Sequence, residues 1–465
     1  MSQPISLLPQ LPSDFARSLP KKQSREEGVA RPTFALYSLG CKVNAADSHQ
    51  IARMLVAQGF RRVEFRESAD LYVIDTCTVT AEANRKSRKA ASRARRNNPN
   101  AVVAVTGCAA TKDAAQFEHA APGALVLSNA QKFELPERAL ARLQSQKEWA
   151  QNYEAMRAQT GSEPIPMPSY VRAVLKIQDG CDHKCSYCII PRVRGASVIK
   201  SKAQLIAEAR DLVSEGAREV VVTGVSMGDF SMGLNRVKGS KNAALNELLR
   251  SVAVLPEVLR VRTSSLDPAD VDEEWLQTVA FSEGVCPHIH LALQSGSKSV
   301  LARMRRRYTP ELYLKWATRW REINPDAGLT TDVIVGFPGE TESEWQETVE
   351  LCRAAKFSAI HVFPYSPREN TFAAEHLREL GGLVASDVQK RRVDELLALA
   401  NELSAESAAR FFGREVEILV ESLHDGEVEG LLPNYMRCRV PSATARIGDL
   451  LRFTPTRWED GYLKP

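Results

Sequence analysis

Residues 171–188 read VRAVLKIQDGCDHKCSYC, an apolar strand followed by three cysteines at CxxxCxxC spacing. Three thiolates this close together can hold one small cube of iron and sulfide. Because no fourth cysteine lies nearby, one iron would keep an open position, where a substrate or cofactor can bind. Structural zinc normally takes four ligands, so the spacing favours an iron–sulfur cluster on Cys181, Cys185 and Cys188 over zinc or three unrelated thiols.

Further apolar runs follow this strand, with amphipathic stretches between them. Strands are predicted at 218–225, 258–264, 288–293, 329–337 and 357–363. Together with 171–177 they make six β/α units, which predicts a partial, open (β/α)6 barrel rather than a closed barrel of eight strands. Such folds collect their chemistry at the carboxyl ends of the strands, where the cysteine loop is expected.

A separate β/α alternation precedes this barrel. Its apolar runs lack polar alternation, which is typical of a parallel sheet covered on both faces, so we predict a doubly wound parallel α/β domain. The strand candidates are 33–39, 71–76, 101–107 and 124–128. Cys41, Cys77 and Cys108 each lie one or two residues past one of these strands. Since parallel strands end at one edge of a sheet, the three thiols are expected to meet and hold a second cluster. The alternative is three buried structural cysteines.

The end of the chain has a different pattern. Residues 385–411 predict a long helix, and 415–422, 435–440 and 449–457 predict short strands of a small antiparallel β-barrel. The predicted division is a flexible tail at 1–31, the α/β domain at 32–145, a linker at 146–168, the (β/α)6 barrel at 169–400, and the helix end with the β-barrel at 401–465.

The composition excludes several classes of protein. Of 465 residues, 44% are hydrophobic and 25% charged, which is globular composition. No apolar run approaches the roughly 18 residues of a membrane helix, and the first residues do not resemble a secretory signal. The odd count of nine cysteines indicates metal or redox chemistry in a reducing cytoplasm rather than a disulfide framework. Cys286, Cys352 and Cys438 share no placement and are predicted as core thiols.

A basic segment is the candidate nucleic-acid surface. Residues 85–96 read RKSRKAASRARR, with seven basic residues and no acidic one. On a helix such a stripe can contact phosphates, although a solvated helix face is the simpler alternative. The candidate residues are Arg85, Lys86, Arg88, Lys89, Arg93 and Arg96, with a second patch at Arg303 and Arg305–Arg307. Residues 413–465 hold seven basic and nine acidic residues, a balance of −2, so RNA binding there would depend on stacking aromatics. The candidates are Tyr435, Phe453, Trp458 and Tyr462.

These motifs resemble those of the radical SAM methylthiotransferase family. The resemblance covers nearly the whole chain beyond residue 32, and the C-terminal part is similar to the TRAM domain, an RNA-binding module. Within the family, four short segments resemble those of the branch that modifies N6-threonylcarbamoyladenosine at position 37 of tRNA. The segments are GCKVN at 40–44, TCTVT at 76–80, KSR at 86–88 and MRRRYT at 304–309. The isopentenyladenosine and ribosomal-protein branches usually carry different residues around the first two cysteines.

The resemblance implies two [4Fe-4S] clusters and S-adenosylmethionine. The cluster on Cys181, Cys185 and Cys188 would bind S-adenosylmethionine through its open iron and generate a 5′-deoxyadenosyl radical. The cluster on Cys41, Cys77 and Cys108 would carry the inserted sulfur, and a second S-adenosylmethionine would donate the methyl group. The product would be the 2-methylthio derivative of the adenosine. The implied partners are tRNA and an electron donor of the flavodoxin or ferredoxin type, for a monomeric cytoplasmic enzyme.

Binding of S-adenosylmethionine is assigned to strand ends and one aromatic residue. The family places an aromatic beside the adenine, here Tyr187, and glycines at strand ends let backbone approach a ligand. The alternative for the strand ends is ordinary β/α turns, and Thr223-Gly224 departs from the Gly-Gly-Glu common in radical SAM enzymes. The remaining candidates are Thr223, Gly224, Gln294, Ser295 and Gly336.

Several alternative functions stay open at this stage. The substrate could be N6-isopentenyladenosine at the same tRNA position or a ribosomal-protein aspartate. Asp47-Ser48-His49 nearly matches the Asp-x-His-x-x-Gly motif of cobalamin-dependent radical enzymes, but Ala52 replaces the glycine. The chain could also be a non-catalytic iron–sulfur protein that binds RNA or senses redox state.

Overall fold

The computed structural model describes residues 31–160, 170–233 and 240–465. Its first part is a five-stranded parallel sheet with the order β2-β1-β3-β4-β5. The strands are β1 (Thr33–Ser38), β2 (Arg61–Val63), β3 (Leu71–Thr76), β4 (Val102–Gly107) and β5 (Leu125–Val126). Strands β3 and β4 are buried along their whole length, because helices cover both of their faces.

The helices of this domain pack on both faces of the sheet. They are α1 (Lys42–Ala57), α2 (Ala81–Asn97), α3 (Cys108–Lys112), α4 (Ala115–Ala120), α5 (Leu135–Gln144) and α6 (Lys147–Thr160). Helices α1 and α5 share one apolar core with the sheet, and α2 and α4 share the other. The predicted doubly wound α/β fold is therefore confirmed. The predicted tail lies outside the described residues except for Arg31. Helix α6 occupies most of the predicted linker, whose last residues, 161–168, are also outside the described part.

The central part contains six positions of parallel strand. They are β6 (Arg172–Asp179), β8 (Glu219–Gly224), β9 (Arg260–Thr263) continued by β10 (Ser265–Leu266), β11 (His288–Leu291), β12 (Gly328–Val335) and β13 (Ala359–Pro364), with β7 (Val198–Ile199) antiparallel on the edge of β6. Among the described residues β6 and β13 do not pair. The barrel is therefore partial and open, as predicted.

Helices connect these strands and surround one large apolar core. They are α7 (Ile190–Arg194), α8 (Lys202–Ser214), α9 (Gly228–Gly233), α10 (Ala243–Ala253), α11 (Glu273–Phe281), α12 (Lys298–Arg303), α13 (Pro310–Ile323), α14 (Glu342–Ala355), α15 (Phe372–Glu375) and α16 (Ser386–Ala409). Helix α1 of the first domain packs against β6, so the N-terminal domain lies at the edge of the barrel. Helix α16 crosses the domain boundary predicted at residue 400. That boundary and the other predicted limits stay predictions.

The C-terminal part is a six-stranded sheet with the order β17-β14-β15-β16-β19-β18. The strands are β14 (Val416–His424), β15 (Glu427–Leu431), β16 (Arg437–Pro441), β17 (Leu450–Phe453), β18 (Arg457–Glu459) and β19 (Tyr462–Lys464). Apolar residues from all six strands enter one core, so the sheet wraps around it like the predicted small barrel. The pairing is antiparallel except between β16 and β19, which are parallel.

The C-terminal sheet covers the amino-terminal end of the barrel strands. Arg262 donates to the Pro433 carbonyl at 2.8 Å, and Arg260 donates to the Leu431 carbonyl at 2.7 Å. The ring of Tyr435 stacks on His288 of β11, with centroids 4.6 Å apart. These contacts close the end of the barrel opposite the cysteine loop. No helix in the described ranges is long and apolar enough to cross a membrane.

Candidate metal centres

The first cysteine loop follows β6 at the carboxyl end of the barrel strands. Gly180 precedes it with φ +73°, and a Cβ there would lie 2.0 Å from the Ala196 carbonyl oxygen, so the turn requires glycine. The Cys181 amide donates to the Gly195 carbonyl at 3.0 Å. The loop therefore folds back on the segment after Cys188, and this brings the three thiols together.

The three thiols of this loop influence one another electrostatically. Burial, together with the Cys185 and Cys181 thiols, raises the pKa of Cys188 to about 12. Burial also raises the pKa of Cys181 to about 11. The raised pKa values show that burying these thiols as thiolates is unfavourable without a counter-charge. Bound iron ions would supply that charge, because metal-bound thiols are deprotonated. The donor set therefore fits a three-cysteine cluster. Arg306 donates to Cys185 Sγ at 3.2 Å and places a buried positive charge beside the thiols.

The second trio gathers at the carboxyl edge of the N-terminal sheet. Gly40 and Gly107, each one residue before a cysteine, have φ values of +116° and +98°. A Cβ on Gly40 would lie 3.1 Å from Cys77 Sγ, and one on Gly107 would lie 2.5 Å from the Thr76 carbonyl oxygen. Only glycine lets these two loops approach the Cys77 loop this closely.

Asn44 holds these loops in place. Its amide donates to the Leu39 carbonyl at 2.9 Å, and to Asp75 Oδ1 and the Thr76 carbonyl, both at 3.1 Å. Its oxygen accepts from Arg194 of α7 at 2.5 Å. One side chain therefore joins two strand ends of the sheet to the barrel.

The structure brings Cys41, Cys77 and Cys108 within electrostatic reach of one another. Burial, together with the Cys41 and Cys108 thiols, raises the pKa of Cys77 to about 12. Burial raises the pKa of Cys108 as well, and the Arg194 guanidinium opposes that shift. As at the first trio, bound iron would relieve the cost of packing thiolates together, so the residues fit a second cluster.

The two trios are neighbours across the domain interface. Cys108 packs against Ile189 and Val193, which lie one and five residues after Cys188. Asn129 bridges the same contact by donating to the Val193 carbonyl at 2.8 Å and to Cys108 Sγ at 3.6 Å. The second trio therefore lies beside the segment that follows the first, at the boundary between the α/β domain and the barrel.

A buried ionic network fixes this interface. Asp47 accepts from Lys132 at 2.5 Å and also pairs with Lys176 of β6. Asp179 accepts from Lys176 at 2.9 Å and from Arg194 at 2.7 Å. Asp47, Lys132, Lys176 and Arg194 are each at least nine-tenths buried. The network carries more positive than negative residues, which suits a neighbouring anionic cluster.

Most residues predicted to bind S-adenosylmethionine lie at the carboxyl end of the barrel strands, which also holds the first trio. We call this end the barrel mouth. Gly336 directly follows β12 with φ +76°, and Gln294 follows β11 with φ +63°. Thr223 and Gly224 end β8, and Tyr187 packs with the apolar group around Phe337. Ser295 differs, because it is fully buried and its hydroxyl lies 3.2 Å from the Thr348 hydroxyl on α14. Its side chain anchors that loop instead of facing the mouth.

The predicted basic stripe is a helix, α2, capped by Thr80. Arg88, Lys89, Arg93 and Arg96 are exposed on it. Glu82, one turn before the stripe, pairs with Arg85 at 2.5 Å and with Lys86 at 3.9 Å. These two residues are therefore partly neutralised, and the four others form the positive surface.

In the second predicted basic patch three of the four arginines pair with carboxylates, while Arg305 is exposed, and its role as a phosphate surface stays a prediction. Arg303 pairs with Glu344 at 2.8 Å, Arg306 with Asp267 at 2.7 Å and Arg307 with Asp270 at 2.7 Å. Arg305 lies over the Phe372 ring, 3.6 Å from its centroid. These charges hold the barrel mouth together.

Two other predictions change in the structure. Tyr435 stacks against the barrel and is not a free RNA-stacking surface, and Phe453 and Trp458 pack on the C-terminal core. Tyr462 is half-buried, with Arg437 and Arg439 over its ring, and its role in base stacking stays a prediction. The two polar residues of the near match to the cobalamin motif have other partners. Asp47 belongs to the ionic network, and His49 pairs with Glu215 at 2.7 Å.

Sequence reasoning missed the contacts that Asn44, Arg194 and Arg306 make beside the two trios. Asn44 and Arg306 stand inside segments that carried the family resemblance, which was the available signal. Arg194 gave no signal, because its partners come from other parts of the chain. Cys286, Cys352 and Cys438 are buried, as predicted for core thiols.

Comparisons with known proteins agree with this arrangement. Residues 175–352 match the Radical SAM superfamily, and residues 33–128 match the Uncharacterized protein family UPF0004. The chain is 35% identical to the threonylcarbamoyladenosine tRNA methylthiotransferase MtaB of Bacillus subtilis, over 90% of this chain and 93% of that protein. It is 34% identical to a tRNA-2-methylthio-N(6)-dimethylallyladenosine synthase of Mycobacterium bovis, over 91% and 81% of the two chains.

A solved structure shares the fold. The radical S-adenosylmethionine methyltransferase TsrM of Kitasatospora setae superposes with a TM-score of 0.51 at 16% identity, covering 74% of this chain and 77% of that one. The radical SAM match implies a [4Fe-4S] cluster and S-adenosylmethionine. The extent and identity of the sequence matches show that the chain belongs to the radical SAM tRNA methylthiotransferase family.

Proposed function

We propose that this chain methylthiolates C2 of N6-threonylcarbamoyladenosine at position 37 of tRNA. The observation that supports it most is the meeting of two three-cysteine sites across one domain interface, with Cys108 packed against the residues that follow Cys188. One site suits the cluster of radical SAM chemistry, and the second suits a cluster that carries sulfur. The substrate assignment is supported by the similarity to proteins named for threonylcarbamoyladenosine.

The chain's own residues hold and orient these groups. Cys181, Cys185 and Cys188 would ligate one cluster, and Cys41, Cys77 and Cys108 the other. When bound, the clusters and S-adenosylmethionine supply the radical and the sulfur that an unactivated aromatic C–H requires. Arg306 and Arg194 place buried positive charge beside the two sites, which stabilises anionic thiolates. Ile189 and Val193 pack on Cys108, which shields that thiol from water.

A comparison of RNA substrates tests the proposal. The protein is reconstituted anaerobically with iron and sulfide and given S-adenosylmethionine, reductant and tRNA carrying either N6-threonylcarbamoyl- or N6-dimethylallyladenosine at position 37. We expect 2-methylthio product, detected by mass spectrometry of nucleosides, from the first tRNA. Product from the second tRNA alone would reassign the substrate. 5′-Deoxyadenosine without methylthio product on either RNA would point to a protein substrate, and absence of both would favour a non-catalytic iron–sulfur protein.

The exposed face of α2 is proposed to bind tRNA. Replacing Arg88, Lys89, Arg93 and Arg96 by Ala should weaken tRNA binding by at least about tenfold. The slope of log affinity against log salt concentration should become shallower by about one for each phosphate that the helix no longer neutralises. Fluorescence anisotropy at several salt concentrations measures both. Lys390 and Arg391 of α16 are exposed basic residues far along the chain, and their replacement by Ala is the control. An unchanged slope in the α2 variant would remove this helix from the RNA surface.

The remaining predicted partners rest on the family resemblance alone. An electron donor of the flavodoxin or ferredoxin type, a monomeric state and a cytoplasmic location stay predictions. The same holds for the S-adenosylmethionine contacts at Tyr187 and at the strand ends, with Ser295 now the least suited of them.

A further inference from the structure

The interior of the barrel contains polar side chains that the proposed chemistry does not use. His290, Asp332 and His361 lie on β11, β12 and β13, at inward positions between fully or largely buried neighbours. His290 Nε2 lies 3.3 Å from Asp332 Oδ2, and His290 Nδ1 lies 2.9 Å from Thr330 Oγ1. Although Asp332 is on a central strand, 30% of its side chain is exposed, so the barrel contains accessible space.

Lys42 reaches this interior from the N-terminal domain. It is the first residue of α1, directly after Cys41, and its Nζ lies 5.8 Å from the centroid of the Tyr435 ring at the covered end of the barrel. Its charge acts on Asp332 and His361. Among the described residues, Lys42 has no hydrogen bond or ion pair from its ammonium group. It is therefore a cation inside the barrel without a direct anionic partner.

The other cations near Lys42 do have partners. Arg172 pairs with Glu219 at 3.1 Å and with Glu421 at 3.3 Å, and Arg262 pairs with Glu219 at 2.8 Å. Burial alone would raise the pKa of Tyr435, but Lys42, Arg172 and Arg262 outweigh burial and lower that pKa to about 8. Of these three cations, Lys42 is the one without a described carboxylate within ion-pair distance, and the Asp332 carboxylate acts on its charge only from farther away. An enclosed charge is costly until an opposite charge pairs with it.

The position of Lys42 relates the cation to the reacting carbon. C2 and C6 both flank N1 of adenine, so a substituent on N6 lies on the side of the ring near C2. A base that presents C2 to the Cys41 trio would therefore place its N6 substituent near the residue that follows Cys41. Above Asp332 and His361, the inward residues Ile334 and Phe363 are half-buried and offer an apolar wall for the base.

We propose that Lys42 binds the carboxylate of the N6-threonylcarbamoyl group and thereby selects this nucleoside, an inference that rests on the function proposed above. The threonyl hydroxyl and the N–H groups would face Asp332 and His361. An N6-dimethylallyl group carries no charge and would leave Lys42 unpaired, so it is disfavoured. A binding site with a buried polar group strongly rejects ligands that cannot pair with that group, because the group then stays unsatisfied.

The test compares two RNAs and four proteins. The RNAs are an anticodon stem-loop with N6-threonylcarbamoyladenosine and the same stem-loop with its carboxylate converted to the neutral carboxamide. The proteins are the wild type, Lys42→Met, Lys42→Arg and the control Lys390→Met, an exposed residue of α16. Affinity is measured by anisotropy without reductant, so that no turnover occurs, and kcat/KM is measured with reductant. Iron content and 5′-deoxyadenosine formation establish that each variant carries its clusters.

We expect the wild type and Lys390→Met to prefer the acid over the carboxamide by about 100-fold in kcat/KM, with a matching preference in affinity. Lys42→Met should lose this preference by weakening only the acid, and Lys42→Arg should retain part of it. An equal preference in Lys42→Met and wild type, or no preference in the wild type, would overturn the role of Lys42. If the wild type does not methylthiolate the threonylcarbamoyl RNA at all, the proposed function itself fails.

Because the acid–carboxamide comparison is also made on the wild type, it does not depend on how any variant folds. A wild type that is active on the acid and equally active on the carboxamide contradicts only the inference about Lys42.

Discussion

Replacing Cys41, Cys77 and Cys108 together by Ala is expected to remove about half of the bound iron and to abolish methylthiolation. The reason is that each trio would hold one cluster, and only the second would carry sulfur. The thiols of the first trio lie on a different domain, so 5′-deoxyadenosine formation should continue. Iron analysis, absorption spectra and nucleoside mass spectrometry measure these three outcomes separately.

Cys352→Ala is the matched control, because Cys352 is a buried thiol of α14 that belongs to neither trio. Its iron content and activity should equal those of the wild type. A triple variant that keeps all of its iron, with a native circular dichroism spectrum, would show that these three thiols serve only as packing residues.

Glu219→Gln is expected to lower the free energy of unfolding by about 3–5 kcal/mol at neutral pH. Glu219 and Arg262 have fully buried side chains, and the substitution leaves the Arg262 guanidinium without its anion. Burial alone would raise the pKa of Glu219, but Arg262 and Arg172 outweigh it and lower the pKa to about 2, from 4.5. The urea midpoint of the cluster-free chain, relative to wild type, measures the loss.

The pH dependence of this difference follows from the lowered pKa. A carboxylate whose pKa is lower in the folded than in the unfolded chain stabilises the fold above the unfolded value, and this contribution is lost as pH falls toward the folded value. The gap between wild type and Glu219→Gln should therefore shrink between about pH 4.5 and 2. Glu406→Gln, an exposed site on α16, is the control and should show no gap. A gap that is constant with pH would assign the loss to packing alone.

Much of the fold could be predicted because its strands are short apolar runs in a regular order. Strands β1, β3, β4 and the six barrel positions all fall on the predicted runs. Strand β2 was missed because it reads RRV and pairs only along one edge of β1. Helix α6 lies where a linker was predicted. Its Trp149 and Tyr153 pack on Phe60, a tertiary contact that local composition does not reveal.

Only those parts of the candidate site that depend on the spacing of residues along the chain could be predicted. The CxxxCxxC loop is local, and the second trio follows from the rule that parallel strands end at one edge. The role of a charged residue could not be predicted in the same way, because its ion-pair partner is set only when the chain folds. Arg303, Arg306 and Arg307 looked like a phosphate surface, yet each pairs with a carboxylate from another part of the barrel. Lys42 was noted only as part of the GCKVN segment at 40–44, yet its ammonium group lies 5.8 Å from the centroid of the Tyr435 ring in the barrel.

One helix, α1, carries residues of both the proposed sulfur site and the proposed substrate site. Cys41 is its N-cap, Lys42 its first residue, and Asp47 anchors it to the barrel. Because Cys41 and Lys42 are neighbours in the chain, their backbone, rather than the docking of two domains, sets the spacing between the proposed cluster ligand and the cation. It follows that a descendant of this scaffold could acquire a different N6 preference through a substitution at residue 42, with the reaction geometry inherited intact.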